Sequence, residues 1–173
     1  EIRDFETADI SIKASQTGHM VLSTLHTNDA SQTIVRLRNM GVETFNIASS
    51  INLIIAQRLV RKLCSCKQPH PQGNQALFTA GLVEKGTHLD STPFCAVGCD
   101  ACNGTGYKGR VGIYEVMPLS EDMQELILKG ANALELEQQA RSEGVLGLKD
   151  AGTTKILQGI TTIEEILAAT RTD

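Results

Sequence analysis

A chain of 173 residues, 41% hydrophobic and 21% charged, is globular in composition and long enough for one ordinary domain or one with a small appendage. Aromatics make up 3% with no tryptophan, which argues against base stacking on aromatic platforms. The net charge of −4 argues against a whole-surface nucleic-acid binder, and no apolar run reaches the ~20 residues of a membrane-crossing helix.

The chain opens on Glu1 without a signal peptide, and it reads as a fragment whose N-terminal part is missing. Asp4 can cap a helix over 5–17, with Phe5, Ala8 and Ile12 at helical spacing and Gly18 at its stop. MVLSTL, residues 20–25, reads as a short buried strand between His19 and His26. A strand after a helix points to an α/β layer. Ser23 and Thr24 on it read as packing or backbone-capping groups. Asn28 or Asp29 can cap a helix over 29–40, with Ile34, Leu37 and Met40 inward, Arg36 and Arg38 outward, and Gly41 at its end.

Residues 43–57 read as a further, mostly buried helix, from which RLVRKL leads into the cysteines. Residues 67–98 hold three of the four prolines and little periodicity, as an inserted arm would. VGIYEVM, 111–117, reads as a strand. Ser120 with Glu121 and Asp122 opens a helix that stops near Gly130. ANALELEQQARSEG and LKDAGTTKILQG are two more. Thr162 and Glu165 form a capping box for a last helix, IEEILAATR.

Five cysteines, Cys64, Cys66, Cys95, Cys99 and Cys102, fall in one short window. An odd number clustered in otherwise ordinary sequence favours metal over disulfides. Cys-x-x-Cys at 99 and 102 lets two sulfurs reach one ion from a tight turn, and the glycines after it permit the turn. CSC at 64 and 66 is the weaker half, because one intervening residue strains joint ligation. His70 or Cys95 stands as a substitute for one sulfur. CDACNGTG also matches the zinc knuckle of the J-protein co-chaperones, but that family needs several repeats and here there is one.

EIRD, then ETADISIKASQTGHMVLSTLHTNDASQTIVRLRNMGV, IASSINLIIAQRLVRKLC, the paired cysteines, GYKGRVGIYEVM and QGITTIEEIL occur in this order. The ordered set resembles the secretion ATPase superfamily, and within it the type IV pilus assembly and type II secretion motors. NIASSINLIIAQRL is nearest the pilus-extension branch. The retraction branch lacks the cysteine pairs. The resemblance implies an α/β fold: the rear half of a RecA-like ATPase core over 1–62, a cysteine-rich zinc element over 63–112, and a C-terminal helical subdomain over 113–173.

It also implies roles. EIRD matches the end of the Walker B strand, so Glu1 would orient Mg²⁺ and the attacking water. TGHMVLSTLHTN matches the His box, so His26 would read the γ-phosphate of ATP and His19 would support the same stretch from its other end. Arg3 would lie beside the nucleotide, in local salt bridges or at a subunit contact. Cys64, Cys66, Cys99 and Cys102 would hold Zn²⁺. In the family both halves are Cys-x-x-Cys, and CSC is one residue short. Arg36, Arg38, Arg58, Arg61, Lys108 and Arg110 read as a solvated face, with subunit contact as the other reading.

No Gly-x-x-x-x-Gly-Lys-[Ser/Thr] occurs in the chain. The resemblance places that phosphate loop upstream of Glu1, so the fragment alone is expected to be inactive. The full-length protein is expected to be a cytoplasmic homo-hexamer at the inner membrane, working on a platform protein there. A type II secretion ATPase and a zinc-stapled interaction module without ATPase role are the alternatives.

Overall fold

The computed structural model describes residues 1–171. Its helices are α1 (Phe5–Gln16), α2 (Ala30–Asn39), α3 (Thr44–Ser50), α4 (Gln75–Thr79), α5 (Glu121–Leu128), α6 (Ala133–Ser142), α7 (Leu148–Leu157) and α8 (Ile163–Ala169). Its strands are β1 (Leu53–Leu63), β2 (Gln68–Pro69), β3 (Phe94–Cys95) and β4 (Tyr107–Pro118). The chain divides into two compact units. Unit one comprises Glu1–Ala56 and Glu115–Val145; unit two comprises Gln57–Tyr114 and the chain from Leu146 onward. β1 pairs with β4, and each strand passes from one unit into the other. Among the described residues no helix is long and apolar enough to cross a membrane.

Polar caps start most helices of unit one, α3 being without a side-chain cap. Asp4 accepts the Thr7 N–H at 2.9 Å, Asp29 the Gln32 N–H at 2.7 Å, and Ser120 the Met123 N–H at 3.1 Å. Each satisfies a first-turn donor that has no intrahelical partner. The helices then turn Ile34, Leu37, Ile47, Met123, Ile127 and Leu136 inward, where they pack with Ile54 of β1 and Met117 of β4. Burying each large apolar side chain stabilises by about 1.5–3 kcal/mol relative to exposure.

Two expectations fail in this unit. Residues 19–27, expected to hold a strand over 20–25, have no regular structure. A strand needs a ladder partner, and over 20–25 the backbone bond found among the described residues is that from the Ile2 N–H to the Thr24 carbonyl at 2.8 Å. Met20 and Leu22 are accordingly 89% and 85% exposed rather than buried. The expected helix over 43–57 stops at Ser50, and INLIIAQ enters β1 instead. The strand alternates, with Ile54, Ala56 and Val60 buried and Leu53, Ile55 and Leu59 exposed. That is a period of two, carried by β-branched residues.

In unit two, the expected arm at 67–98 carries more order than its composition suggests. Gln68 pairs with Cys95 and Pro69 with Phe94, antiparallel, and α4 buries Ala76 and Leu77. Gly152 permits the close packing of α7 on α8, since a Cβ there would lie 2.7 Å from Ile166. Thr162 caps α8 through the Glu165 N–H at 3.4 Å. The reciprocal half of the expected capping box is absent, because the Glu165 carboxylate turns to Arg61. It accepts from the Arg61 backbone N–H at 2.8 Å and from its guanidinium at 2.9 and 2.6 Å. Arg61 also stacks 4.1 Å over the Tyr107 ring. Arg61 is therefore tied down, and so is Arg38, which donates to the Ala131 carbonyl at 2.9 Å; neither belongs to a free solvated face.

The Arg61 hydrogen bond holds the Glu165 carboxyl below its ordinary range, against partial burial. A depressed folded-state pKa contributes stability above the unfolded value and loses it as pH falls through the folded one. We expect stability to drop as pH is lowered below about 4.3, the free glutamate value, and Glu165→Gln to flatten that drop. Because Arg61 is largely exposed, the pair contributes on the order of 1 kcal/mol after screening; denaturant melts across pH measure it.

Candidate functional site

Two clusters of reactive side chains stand out, one in each unit. In unit one, Glu1, Arg3 and His26 meet. The Glu1 Oε1 lies 2.8 Å from His26 Nε2 and its Oε2 lies 2.5 Å from the Arg3 guanidinium. The Arg3 hydrogen bond, opposed by partial burial and joined by the Arg3 and His26 charges, lowers the Glu1 pKa. The His26 side chain is 86% exposed, so its ring is open to a ligand from solvent.

The backbone behind His26 is fixed by hydroxyls. Thr27 and Thr33 share a hydrogen bond at 2.8 Å, and Thr33 donates to the Asp29 carbonyl at 3.1 Å. Residues 27–29 are thereby tied to the first turn of α2. His19 is not part of this cluster. Its Nδ1 lies 3.1 Å from the Thr17 hydroxyl and 3.3 Å from the Ala14 carbonyl, and its N–H donates to the same carbonyl. It closes the C-terminus of α1.

In unit two, the Sγ atoms of Cys64, Cys66, Cys99 and Cys102 all lie within 4.8 Å of one another. Cys64 and Cys99 are 3.9 Å apart, Cys66 and Cys102 3.9 Å, and Cys99 and Cys102 3.7 Å. CSC therefore supplies two sulfurs, despite its short spacing. Cys64 ends the β1 run, its N–H donating to the Gly106 carbonyl, and a turn closed by Lys67 N–H to the Cys64 carbonyl brings Cys66 round. Neither suggested substitute takes part. Cys95 Sγ faces the Gln68 carbonyl at 3.5 Å, and His70 Nδ1 accepts the Gln72 N–H at 3.2 Å.

The cluster is built to hold sulfur anions. Burial opposes ionisation of Cys102, but the Cys99 and Gly106 N–H groups, at 3.1 and 3.2 Å, bring its pKa down to about 6. Cys64 is lowered chiefly by the Cys66 N–H. Cys66 accepts from the Gly98 N–H, yet burial and the three neighbouring thiols push it up to about 11. Four thiols crowded in this way cannot all ionise without a cation among them, which is the donor set of a closed tetrahedral metal site.

Two glycines make this possible: Gly106, one of the glycines after the Cys-x-x-Cys, and Gly98, which sequence reasoning overlooked. Gly98 has φ +113, and a Cβ there would lie 2.5 Å from the Gly104 carbonyl oxygen. Gly106 has φ +77, and a Cβ there would lie 2.6 Å from that of Ala96. Both sit in sequence immediately around CDACNGT, which was the available signal.

The family described as Type II/IV secretion system protein matches residues 1–168. The chain is 53% identical over 174 aligned residues to the type IV pilus assembly ATPase PilB of Pseudomonas aeruginosa, covering 99% of this chain and 30% of that protein. It is 51% identical to PilB of Myxococcus xanthus, over 100% of this chain and 31% of that one. It is 42% identical to type II secretion system protein E of Aeromonas hydrophila, over 100% of this chain and 34% of that one. The chain thus spans 30–34% of the length of these relatives. Among solved structures, the pilus retraction motor PilT with bound ADP superposes with TM-score 0.65 at 22% identity, covering 99% of this chain and 38% of that one. The likeness is one of fold, a mixed α/β arrangement.

Gly98→Ala should break the turn that carries Cys99, since the methyl meets backbone rather than a movable side chain. The expected loss is about 2 kcal/mol or more, read by thermal melting. Gly86→Ala, with nothing within 4 Å of its Cβ, is the matched control for a positive-φ glycine and should lose less.

Proposed function

This chain belongs to the type II/IV secretion system protein family, and we propose that, within a protein of its relatives' length, it forms one side of an ATP-hydrolysing site in a type IV pilus assembly motor. The observation that carries this reading is the 2.8 Å contact between Glu1 and His26. It joins the acid of EIRD to the second histidine of TGHMVLSTLHTN at one solvent-open point.

Phosphoryl transfer is governed by positioning and by stabilisation of charge on the transferred group. ATP with Mg²⁺ would supply the electrophilic γ-phosphoryl group. Glu1, hydrogen-bonded by Arg3, would orient Mg²⁺ and the attacking water. His26, whose Nε2 lies 2.8 Å from Glu1 in this structure, would turn its ring from that carboxylate to a γ-phosphate oxygen when ATP is bound and so distinguish ATP from ADP. Arg3 holds Glu1 in place, and His19 anchors the far end of the stretch to α1. The phosphate loop and the remaining cationic groups would come from elsewhere in the full-length protein.

In this reading residues 1–62 serve the nucleotide site, 63–112 the metal element and 113–173 a helical support. The four thiols hold Zn²⁺, with no open coordination position, as a staple rather than a catalyst. The full-length protein acts as a cytoplasmic hexamer on an inner-membrane platform protein. The 42% identity to a type II secretion protein E supports a second reading, in which the same machinery drives secretion. Restoration of pilus extension or of protein secretion in the corresponding deletion strain separates the two.

In the full-length protein, His26→Ala should cut steady-state ATP turnover by about tenfold or more, as loss of one transition-state contact does, with oligomeric state unchanged. Unchanged turnover removes His26 from the chemistry. Metal analysis of the purified protein should find about one equivalent of zinc per chain, falling below about half in Cys99→Ser. Zinc-free protein with all five thiols freely reactive would sink the metal assignment.

A further inference from the structure

Thr33 places a hydroxyl on the inward face of α2. It is 8% exposed, and the helix buries Ala30, Ile34 and Leu37 beside it, at the spacing of one helical face. A buried hydroxyl is costly unless hydrogen-bonded. The Thr33 oxygen bonds twice to the segment that joins His26 to α2. It donates to the Asp29 carbonyl at 3.1 Å and lies 2.8 Å from the Thr27 hydroxyl. A hydroxyl has a single proton to give. With that proton on Asp29, Thr33 accepts from Thr27.

The two bonds differ in kind. A threonine inside a helix can back-bond to the carbonyl four residues earlier, as Thr33 does to Asp29. The bond to Thr27 spans six residues and reaches outside the helix, so helix formation does not supply it. One buried oxygen thus holds residues 27 and 29, on either side of Asn28. That oxygen is itself fixed, because Ile34 and Leu37 belong to the core of unit one. His26 directly precedes the held segment. Its side chain is 86% exposed, so packing does little to aim the ring. The Glu1 contact is the one that the ring would leave for a γ-phosphate. What then sets its direction is the backbone on its two sides: the Thr24 carbonyl, bound by the Ile2 N–H, and Thr27, bound by Thr33.

We propose that Thr33 is a positioning residue for ATP hydrolysis: its buried hydroxyl holds Thr27 and thereby fixes where His26 stands. This rests on the reading of His26 as the γ-phosphate contact. Thr33→Val keeps nearly the shape and the helix propensity of threonine and loses the hydroxyl. Thr33→Ser keeps the hydroxyl and loses the methyl.

The test uses the full-length protein with Thr33→Val, Thr33→Ser, His26→Ala and the double variant of Thr33→Val with His26→Ala. It follows kcat, KM for ATP and amide hydrogen exchange over residues 26–30. Thr33→Val is expected to lower kcat about fivefold with KM within about twofold, and to speed exchange about fivefold, the effect of losing one hydrogen bond. Thr33→Ser should keep kcat within about twofold of wild type. Because Thr33 acts through His26, Thr33→Val should lower kcat by less than about twofold in protein that already carries His26→Ala. A merely structural role would lower it by the same factor in both backgrounds. Unchanged exchange in Thr33→Val overturns the tether, and unchanged kcat overturns the positioning role. Thr33→Ser as impaired as Thr33→Val overturns the role of the hydroxyl, and independent effects in the double variant overturn the route through His26. Should Thr33→Val fail to fold, Thr27→Val cuts the same bond from its half-buried end and replaces it under the same criteria. Unchanged turnover in His26→Ala defeats the reading of His26, while the exchange measurement still decides whether Thr33 holds residues 27–29.

Discussion

The pairing of β1 with β4 is the constraint on which the rest depends. Each of the two strands contributes residues to both compact units. At one end the Leu119 N–H donates to the Asn52 carbonyl; at the other the Cys64 N–H donates to the Gly106 carbonyl. Residue 52 faces 119 and residue 64 faces 106, so the strands run in opposite directions. The Cys64 end of that ladder leads into the four-cysteine cluster, because Gly106, which accepts from the Cys64 N–H, also donates its own N–H to Cys102.

This explains why the metal element reads as a staple. Its four sulfurs come from the end of β1 and from the turn just before β4, segments that the ladder already brings together. A cation among them would neutralise thiolates that otherwise repel, and would lock the end of the strand pair against fraying. Lys67 adds a second tie in the same unit, donating to the Gly159 carbonyl while lying 4.5 Å over the Phe94 ring. The turn between α7 and α8 is thereby joined to the residue after Cys66. Further along that turn the Thr161 hydroxyl donates to the Arg61 carbonyl at 2.8 Å and the Leu63 N–H to the Ile160 carbonyl at 2.8 Å.

What was legible in the sequence follows from how local each cause is. Asp4, Asp29, Ser120 and Thr162 act within one turn of themselves, and each was readable as a cap. The four cysteines were readable because their chemistry is unusual and clustered. INLIIAQ was misread because a short apolar run fits a buried helix or a strand equally well. Only the β4 partner, more than fifty residues away, decides for the strand. The stretch at 20–25 was misread for the opposite reason: its side chains look like a strand, but among the described residues it forms no ladder, only the one backbone bond from Ile2. Glu165 and Arg61 show the same limit, since a capping box is a local expectation and a guanidinium 104 residues away in sequence overrode it.

The two histidines separate on physical grounds that spacing alone did not carry. His19 spends its Nδ1 and its N–H on the last turn of α1, where those contacts satisfy orphan carbonyls at a helix end. A ring held there is fixed to α1, not to the carboxylate of Glu1. His26 has its Nε2 on that carboxylate and most of its ring in solvent, and the backbone following it is held by hydroxyls and by the start of α2. A group that must read a phosphate needs this combination, a rigid backbone behind an accessible donor. Any effect of His19 on such a site must therefore pass through the backbone of residues 20–25, which the Ile2 bond at Thr24 holds near its His26 end. The motif that looked symmetrical about a strand is thus an anchor at one end and an exposed ring against Glu1 at the other.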